Sequence, residues 1–189
     1  MPAKRPPVPL SRERIIDAAL HIADSQGLRR LTMRRLGDAL EVEAMAIYHH
    51  LPRGKEALMD ALAEHVTAVH AEPGPTWQDT ARAWCRAARE ALRDHPGVLA
   101  LALTKPPKGA TAVAIREQIE QLESFGLAGA AEAVRALRAF VFGSVAVEVQ
   151  QSGWADPEAD GWTRRDERAD ADFERGLEAL LRGLSAGPA

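Results

Sequence analysis

The stretch that decides the fold is LTMRRLGDALEVEAMAIYHHLPRGK, residues 31–55. Its spacing predicts one short helix that starts at Thr32 and a second from about Ala44 to His50, with three residues between them. Apolar side chains recur where these helices can pack at a steep angle against the helix before them; they are Leu36, Leu40, Val42, Ile47 and Leu51. This arrangement predicts a helix-turn-helix, whose second helix can lie in the major groove of DNA.

The remaining side chains of this stretch suit contacts with DNA. Gly37 carries no side chain, so we expect a neighbouring backbone to approach it closely. Arg34 and Arg35 near the start of one helix and Lys55 at the start of a later one are cations that can meet phosphates, whereas Arg29 and Arg30 are interpreted as solvated surface. The exposed positions of the second helix are then expected to be Ala44, Met45, Ala46, Tyr48, His49 and His50, with the short side chains and Tyr48 reading base edges.

Charge is divided unevenly along the chain. Residues 1–55 hold ten Lys and Arg against six Asp and Glu, a balance of +4, whereas residues 56–189 hold fourteen against twenty-one, a balance of −7. A basic head on an acidic body suits binding of a polyanion at one end only.

The bulk composition indicates a globular chain of ordinary type. Its 189 residues are 46% hydrophobic and 27% charged, and no run approaches the roughly 18 apolar residues that a membrane span requires. Before the first helix the chain lacks the apolar core of a signal peptide, so we expect neither export nor a membrane partner. Cys85 is the single cysteine and can form no intrachain disulfide, which suits a reducing cytoplasm.

Helical periodicity continues to the end of the chain, without the alternation typical of strands, so the predicted fold class is all-α. Three regions are expected: a disordered arm at 1–9, a helix-turn-helix domain at 10–55 and a larger ligand-binding and dimerisation domain at 56–189. The helices predicted beyond residue 55 span Glu56 to about His70, 77–94, 98–103, a segment that ends near Gly126, 128–151 and 170–184, with a loop over 152–165.

The stretch from Ile15 to Leu62 resembles the DNA-binding domain of the TetR family. The matching elements are A-A-L at 18–20, G-L at 27–28, L-T-M-R-R-L at 31–36, L-x-V at 40–42, I-Y-H-H at 47–50 and K-E-A-L-M-D-A-L at 55–62. A looser likeness to the tetracycline-repressor branch follows, in R-D-H-P-G at 93–97, F-G at 125–126 and the Phe140–Gly143 pair. The resemblance implies a homodimer that binds near-palindromic double-stranded operator DNA, and operator contacts by the residues proposed above.

Three departures from the family pattern bear on this resemblance. Glu41 stands where the family usually has glycine, so we expect a strained backbone there. Pro52-Arg53-Gly54 makes the connection to Lys55 one residue longer than in the tetracycline repressor. The histidine that binds magnesium in that repressor has no counterpart in residues 97–102, which read GVLALA. Neither a metal nor another cofactor is therefore expected.

The body is expected to hold a small-molecule effector and the dimer contact. Candidate pocket residues are Trp77, Trp84, His95, Leu103, Gln118 and Phe125, although ordinary core packing explains each of them singly, and His95 could instead couple the pocket to the head. Candidate interface residues, which could equally close the chain's own core, are Phe140, Val141, Gly143, Val147, Phe173, Leu177, Leu181 and Leu184. Effector binding would shift helix 56–70 and lower operator affinity.

Other functions stay open at this point. Tyr48, His49 and His50 could form a metal or catalytic cluster, but adjacent helical side chains point about 100° apart and chelate one ion poorly. No catalytic triad, carboxylate pair or phosphate loop has useful spacing, so an enzyme is not expected. A helical ligand-binding protein with a non-functional helix-turn-helix is the alternative, and activation rather than repression remains open. Cys85 lies on an apolar helical stripe, which favours inert burial.

Overall fold

The computed structural model describes residues 9–151 and 167–186, and within these ranges every regular element is helical. Short 3-10 turns lie at Leu28–Arg30 and Pro96–Val98. The α-helices of the described residues are α1 (Arg12–Gln26), α2 (Met33–Leu40), α3 (Ala44–His50), α4 (Lys55–Thr67), α5 (Trp77–Asp94), α6 (Leu99–Thr104), α7 (Gly109–Ser124), α8 (Ala130–Gln151) and α9 (Glu167–Ser185). The all-α prediction is confirmed. The predicted arm, except for residue 9, and the predicted loop over 152–165 lie outside the described residues.

Side-chain caps fix where the first two helices of the head, residues 10–55, begin. Ser11 Oγ accepts from Arg14 N at 3.2 Å, and Thr32 Oγ1 accepts from Arg35 N at 3.1 Å. Each bond satisfies a backbone N–H that the first helical turn leaves without a partner, which stabilises a helix by about 1 kcal/mol. The predicted start at Thr32 is therefore confirmed, with Thr32 as the residue that caps α2.

The connection between α2 and α3 has the geometry expected of a tight helix-turn-helix. Glu41 adopts a left-handed conformation with φ 56° and ψ 41°, as expected for a residue that stands in place of glycine. At Gly37 a Cβ atom would lie 2.8 Å from the carbonyl oxygen of Val42 and 3.3 Å from Ala44 N. The close approach predicted at Gly37 is confirmed, because any side chain there would push α3 away from α2.

One continuous core joins the head to the body, residues 56–189. In the head, Leu36, Ile47 and Leu51 are buried as predicted, whereas Leu40 and Val42 are only half-buried at its edge. In the body, α5 packs against α8 and α7, and α9 packs against α8. Burial of this apolar surface is the main stabilising term of the fold.

The helix that links the two parts ends earlier than its periodicity indicates. α4 stops at Thr67 rather than near His70, and the carbonyl of Val69 accepts a hydrogen bond from Gln118 Nε2 at 3.1 Å. The backbone after Thr67 therefore leaves the α-helical conformation, and its Val69 carbonyl binds the buried side chain of Gln118 on α7 instead. Within the described residues, no helix is both long and apolar enough to cross a membrane.

Candidate nucleic-acid interface and internal cleft

Helix α3 is anchored by one residue and presents the rest of its surface outward. Ile47 is fully buried and holds the helix against the core of the head. Met45 lies on the opposite side with 69% of its surface exposed. The predicted base-contacting residues are all accessible: Met45, Tyr48, His49 and His50 are exposed, and Ala44 and Ala46 are half-buried. A helix with this short and polar surface can enter a major groove.

A basic groove lies between α1, the first 3-10 turn and α2. Its walls include four arginines from the first 3-10 turn and the start of α2, namely Arg29, Arg30, Arg34 and Arg35. Among the described residues, none of these four guanidinium groups lies within ion-pair distance of a carboxylate, even though Asp38 lines the same groove. Guanidinium groups free in this way match phosphate oxygens in geometry and charge.

The sequence predicts phosphate contacts at Arg34 and Arg35 but solvated surface at Arg29 and Arg30. In the structure all four line one groove, and α1 packs against both the 3-10 turn and α2. Lys55 is exposed at the first turn of α4, which follows α3 in the chain. Arg53, by contrast, binds Glu56 at 3.1 Å and Asp60 at 3.2 Å. Lys55 and the four groove arginines are therefore cations of the head that form no ion pair with a described carboxylate.

The body contains an internal cleft with an outer and an inner part. The outer part lies between α4, α6, α7 and α8 and has a cavity volume of about 230 Å³. The inner part continues towards α5, shares Thr67, Arg138 and Phe142 with the outer part, and has a cavity volume of only about 10 Å³. The outer part can therefore hold a small organic molecule, whereas the inner part has room for about one water-sized group.

Two polar atoms of the inner part have no hydrogen-bond partner among the described residues. They are Trp84 Nε1, on a side chain only 2% exposed, and Gln118 Oε1, on a side chain 4% exposed. The Gln118 amide is oriented by the bond that its Nε2 donates to Val69, which turns Oε1 away as an acceptor. A buried unpaired donor and acceptor cost free energy that a bound molecule can recover.

Three of the six residues expected in the pocket line this cleft: Leu103 in its outer part and Trp84 and Gln118 in its inner part. The expectation does not hold for the other three. Trp77 lies half-buried at the first turn of α5, beside Gln78, whose amide reaches Ser185 of α9. Phe125 is exposed at the end of α7. Both occupy the apolar faces that periodicity indicates, but at the helix ends away from the cleft.

His95 instead belongs to the contact between body and head. Its Nδ1 lies 2.9 Å from Asp24 Oδ2 on α1, and Gly97 N donates to Asp24 Oδ1 at 3.0 Å. A Cβ atom at Gly97 would collide with the backbone carbonyl of Ala23. The segment before α6 is therefore fastened to the head at close range. Of the two roles proposed for His95, the structure supports coupling rather than lining the pocket.

Comparison with known proteins agrees with both halves of this description. A family model described as "Bacterial regulatory proteins, tetR family" matches residues 15–62, and one described as "Tetracyclin repressor-like, C-terminal domain" matches residues 70–168. The second match alone covers more than half of the chain. This chain belongs to the TetR family.

Individual TetR-family proteins resemble the chain over different lengths. An HTH-type transcriptional regulator of Saccharopolyspora erythraea is 34% identical over 145 residues, which are 74% of this chain and 61% of that protein. The matched part thus spans less than two thirds of that relative.

Two solved structures of the TetR family share the whole fold. ActR of Streptomyces coelicolor in complex with actinorhodin superposes with a TM-score of 0.75 at 26% identity, over 95% of this chain and 99% of that one. BioQ with its natural double-stranded DNA operator superposes with a TM-score of 0.68 at 29% identity, over 95% and 100%.

The residues expected at a TetR-like dimer interface divide into two groups. Val141, Phe173, Leu177 and Leu181 are buried within the single chain, so they close its own core and leave no surface for a partner. The other four reach the surface to different degrees: Phe140 and Leu184 are half-buried, and Gly143 and Val147 are exposed. Helical periodicity marked the apolar faces of α8 and α9 but did not distinguish contacts within one chain from contacts between two.

The structure also tests whether the described residues could bind a metal ion and whether Cys85 could react as a thiolate. No group of three or more His, Cys, Asp or Glu side chains in the described part of the chain could hold a metal ion. Cys85 is fully buried, and this burial raises the pKa of its thiol, which keeps it protonated.

Proposed function

We propose that this protein is a ligand-responsive transcriptional repressor that binds operator DNA as a homodimer. The observation that carries the proposal is a set of arginines in the head that form no ion pair with any described carboxylate. Four guanidinium groups line one groove of the helix-turn-helix domain, whose helix α3 has an accessible outer surface. The arginines would hold phosphates and set the register, while Tyr48, His49 and the short side chains of α3 would read the major groove.

Effector binding would reach the head by two routes. α4 begins directly after the head, and its residues Asp60, Ala63, Glu64 and Thr67 form one wall of the cleft. α6 forms another wall, and the turn before it holds Asp24 of α1. A molecule that moves either wall would change the orientation of the head, and a coupling of about 1–3 kcal/mol would lower operator affinity by roughly 5–150-fold. The bound ligand of ActR and the bound operator of BioQ support both halves of the proposal.

The homodimer would form through the accessible residues of α8 and α9. Phe140, Gly143 and Val147 follow one face of α8, and Val147 is 50% exposed. A two-fold dimer through this face would present two α3 helices to half-sites about one DNA turn or more apart. Val147→Glu should shift the protein towards monomer in sedimentation velocity, whereas Val113→Glu on α7, also exposed, should leave the dimer intact.

Selection of genomic DNA fragments by the purified protein, at low and at moderate salt, tests the proposal. We expect enrichment of a near-palindromic sequence that survives moderate salt, because base contacts do not depend on counterion release as phosphate contacts do. Enrichment of fragments without a shared sequence would contradict the proposal and favour a helical ligand-binding protein.

A further inference from the structure

Arg138 on α8 differs from the arginines of the neighbouring helix. On α5, Arg82, Arg89 and Arg93 are all largely buried, and each binds a carboxylate. Arg138 is also half-buried, yet no carboxylate of the described residues lies within ion-pair distance of it. Its guanidinium carbon lies 5.3 Å from the centroid of the Phe142 ring, so the positive charge faces an aromatic ring.

The position of Arg138 gives this charge access to a ligand. Arg138 lines both the outer and the inner part of the cleft, at the point where they meet. Burial lowers its pKa, yet a guanidinium stays charged under any physiological condition. An unpaired charge held away from water is costly, so an anion delivered to this point would be bound strongly.

The other charges around the cleft lie at its outer part. Lys105 forms an ion pair with Asp60, which also accepts from Arg53. Glu64 and Lys108 also line the outer part. The inner part has no charged wall residue except Arg138; its other members are Val66, Thr67, Trp84, Ala88, Gln118, Val141 and Phe142.

We propose that the cleft receives an organic anion, and that Arg138 binds its carboxylate, sulfonate or ionised phenol. The inference rests on the proposed function, because it names the chemical class of the effector. The apolar body of the molecule would lie against Phe142 and Val141. Only a small polar group at its inner end would enter the inner part, where it would meet Trp84 Nε1 and Gln118 Oε1.

A matched pair of fluorescent probes tests this proposal on the full chain. 8-Anilinonaphthalene-1-sulfonate and N-phenyl-1-naphthylamine share an aromatic body, and only the first is an anion. We expect the wild-type protein to bind the sulfonate about tenfold or more tightly than the neutral amine. We also expect the two probes to displace each other one for one, because they would share the cleft. A wild-type protein that binds both equally, or neither, would overturn the proposal without any variant.

Substitutions on α8 assign the preference to one side chain. Arg138→Met should abolish the preference for the sulfonate and leave the affinity for the neutral amine within about twofold. Arg138→Lys, which keeps the charge but not the planar fork, should retain part of the preference. The matched control is Arg135→Met, one turn earlier on the same helix, where the arginine is 72% exposed. An equal loss in the Arg135 and Arg138 variants, or an equal loss of both probes in Arg138→Met, would overturn the proposal.

Operator binding without a probe separates this inference from the proposed function. The wild-type protein and Arg138→Met should bind the same DNA with equal affinity, because Arg138 lies in the body. A protein that prefers the sulfonate but binds no specific DNA would refute the repressor and leave the anion site standing. A protein that binds an operator but does not distinguish the probes would refute the anion site alone.

Discussion

The head and the body use arginine for opposite purposes. In the head, Arg29, Arg30, Arg34 and Arg35 line an open groove with no carboxylate partner among the described residues. In the body, Arg82, Arg86, Arg89 and Arg93 follow one face of α5 and bind Glu148, Asp170, Glu174 and Glu178 on α8 and α9. An arginine with a partner holds helices together, whereas one without a partner leaves its charge available for a ligand. Arg138 is an arginine of the second kind within the body.

The largest effect is expected where two free arginines of the head are removed together. Arg34→Ala with Arg35→Ala should weaken operator binding about 100-fold, since each lost hydrogen bond to a charged phosphate costs about tenfold. The slope of log affinity against log salt should fall by about one for each arginine. Fluorescence anisotropy with labelled operator at several salt concentrations measures both quantities. Arg86→Ala with Arg135→Ala removes the same charge from the body and should change neither; equal weakening would break the comparison.

The second effect concerns stability, and it should appear only in the body. Arg89 is 10% exposed and binds Glu148 at 3.0 Å and Asp170 at 2.7 Å. Arg89→Met should lower the free energy of unfolding by about 2 kcal/mol, below the range for a fully broken buried pair because Arg93 still faces both carboxylates. Urea denaturation measures the loss. The exposed control Arg135→Met should cost under about 0.5 kcal/mol, so a similar loss in both variants would contradict the structural role of Arg89.

A smaller effect is expected at the contact between head and body. Asp24→Ala removes the acceptor of Gly97 N and of His95, which should cost about 1 kcal/mol of stability. It should also change operator affinity by up to about fivefold, because the head is no longer fixed to the turn before α6. Asp17→Ala, an exposed position on α1, is the matched control. Thermal unfolding and operator titration of both variants check the prediction, and unchanged operator binding in Asp24→Ala would remove this contact from the coupling route.

The smallest effect is a pH dependence of one exposed pair. The hydrogen bond from Arg86 lowers the pKa of Glu174. The ionised Glu174 therefore contributes its full stabilisation of the folded state above the unfolded pKa of about 4.3. This stabilisation is lost as the pH falls through the lower folded pKa. Wild type should exceed Glu174→Gln in stability by about 0.5 kcal/mol at neutral pH, since the pair is solvent-screened. Urea titrations from pH 7 to about 3 should show this difference vanish at the acid end; a difference that grows there would contradict the pairing.

Local sequence was sufficient for the head but not for the cleft. Gly37 and Glu41 mark the tight turn by their residue types, and both take the close approach and the left-handed backbone expected of them. The pocket residues were harder to predict, because four helices from distant parts of the chain form the walls. Periodicity identifies the apolar face of a helix but not the neighbour that it meets. Trp77 and Phe125 lie on such faces but outside the cleft.

Arg138 could have been recognised before the fold was known. It lies on the same helical stripe as Val134, Leu137, Val141 and Val145, all of which are buried. A charged residue on an otherwise apolar face requires a partner or a function. Which of the two applies depends on the surrounding helices, and only the structure shows that no carboxylate of the described residues approaches it.

We expect above all that the four arginines of the head groove bind operator phosphates. Ethylation interference on the selected operator tests it directly, because each ethylated phosphate loses its charge. We predict two symmetric clusters of phosphates whose ethylation prevents binding by the wild-type protein, with part of each cluster becoming tolerant in Arg34→Ala with Arg35→Ala. A pattern without two-fold symmetry, or one that the double substitution leaves unchanged, would contradict the account.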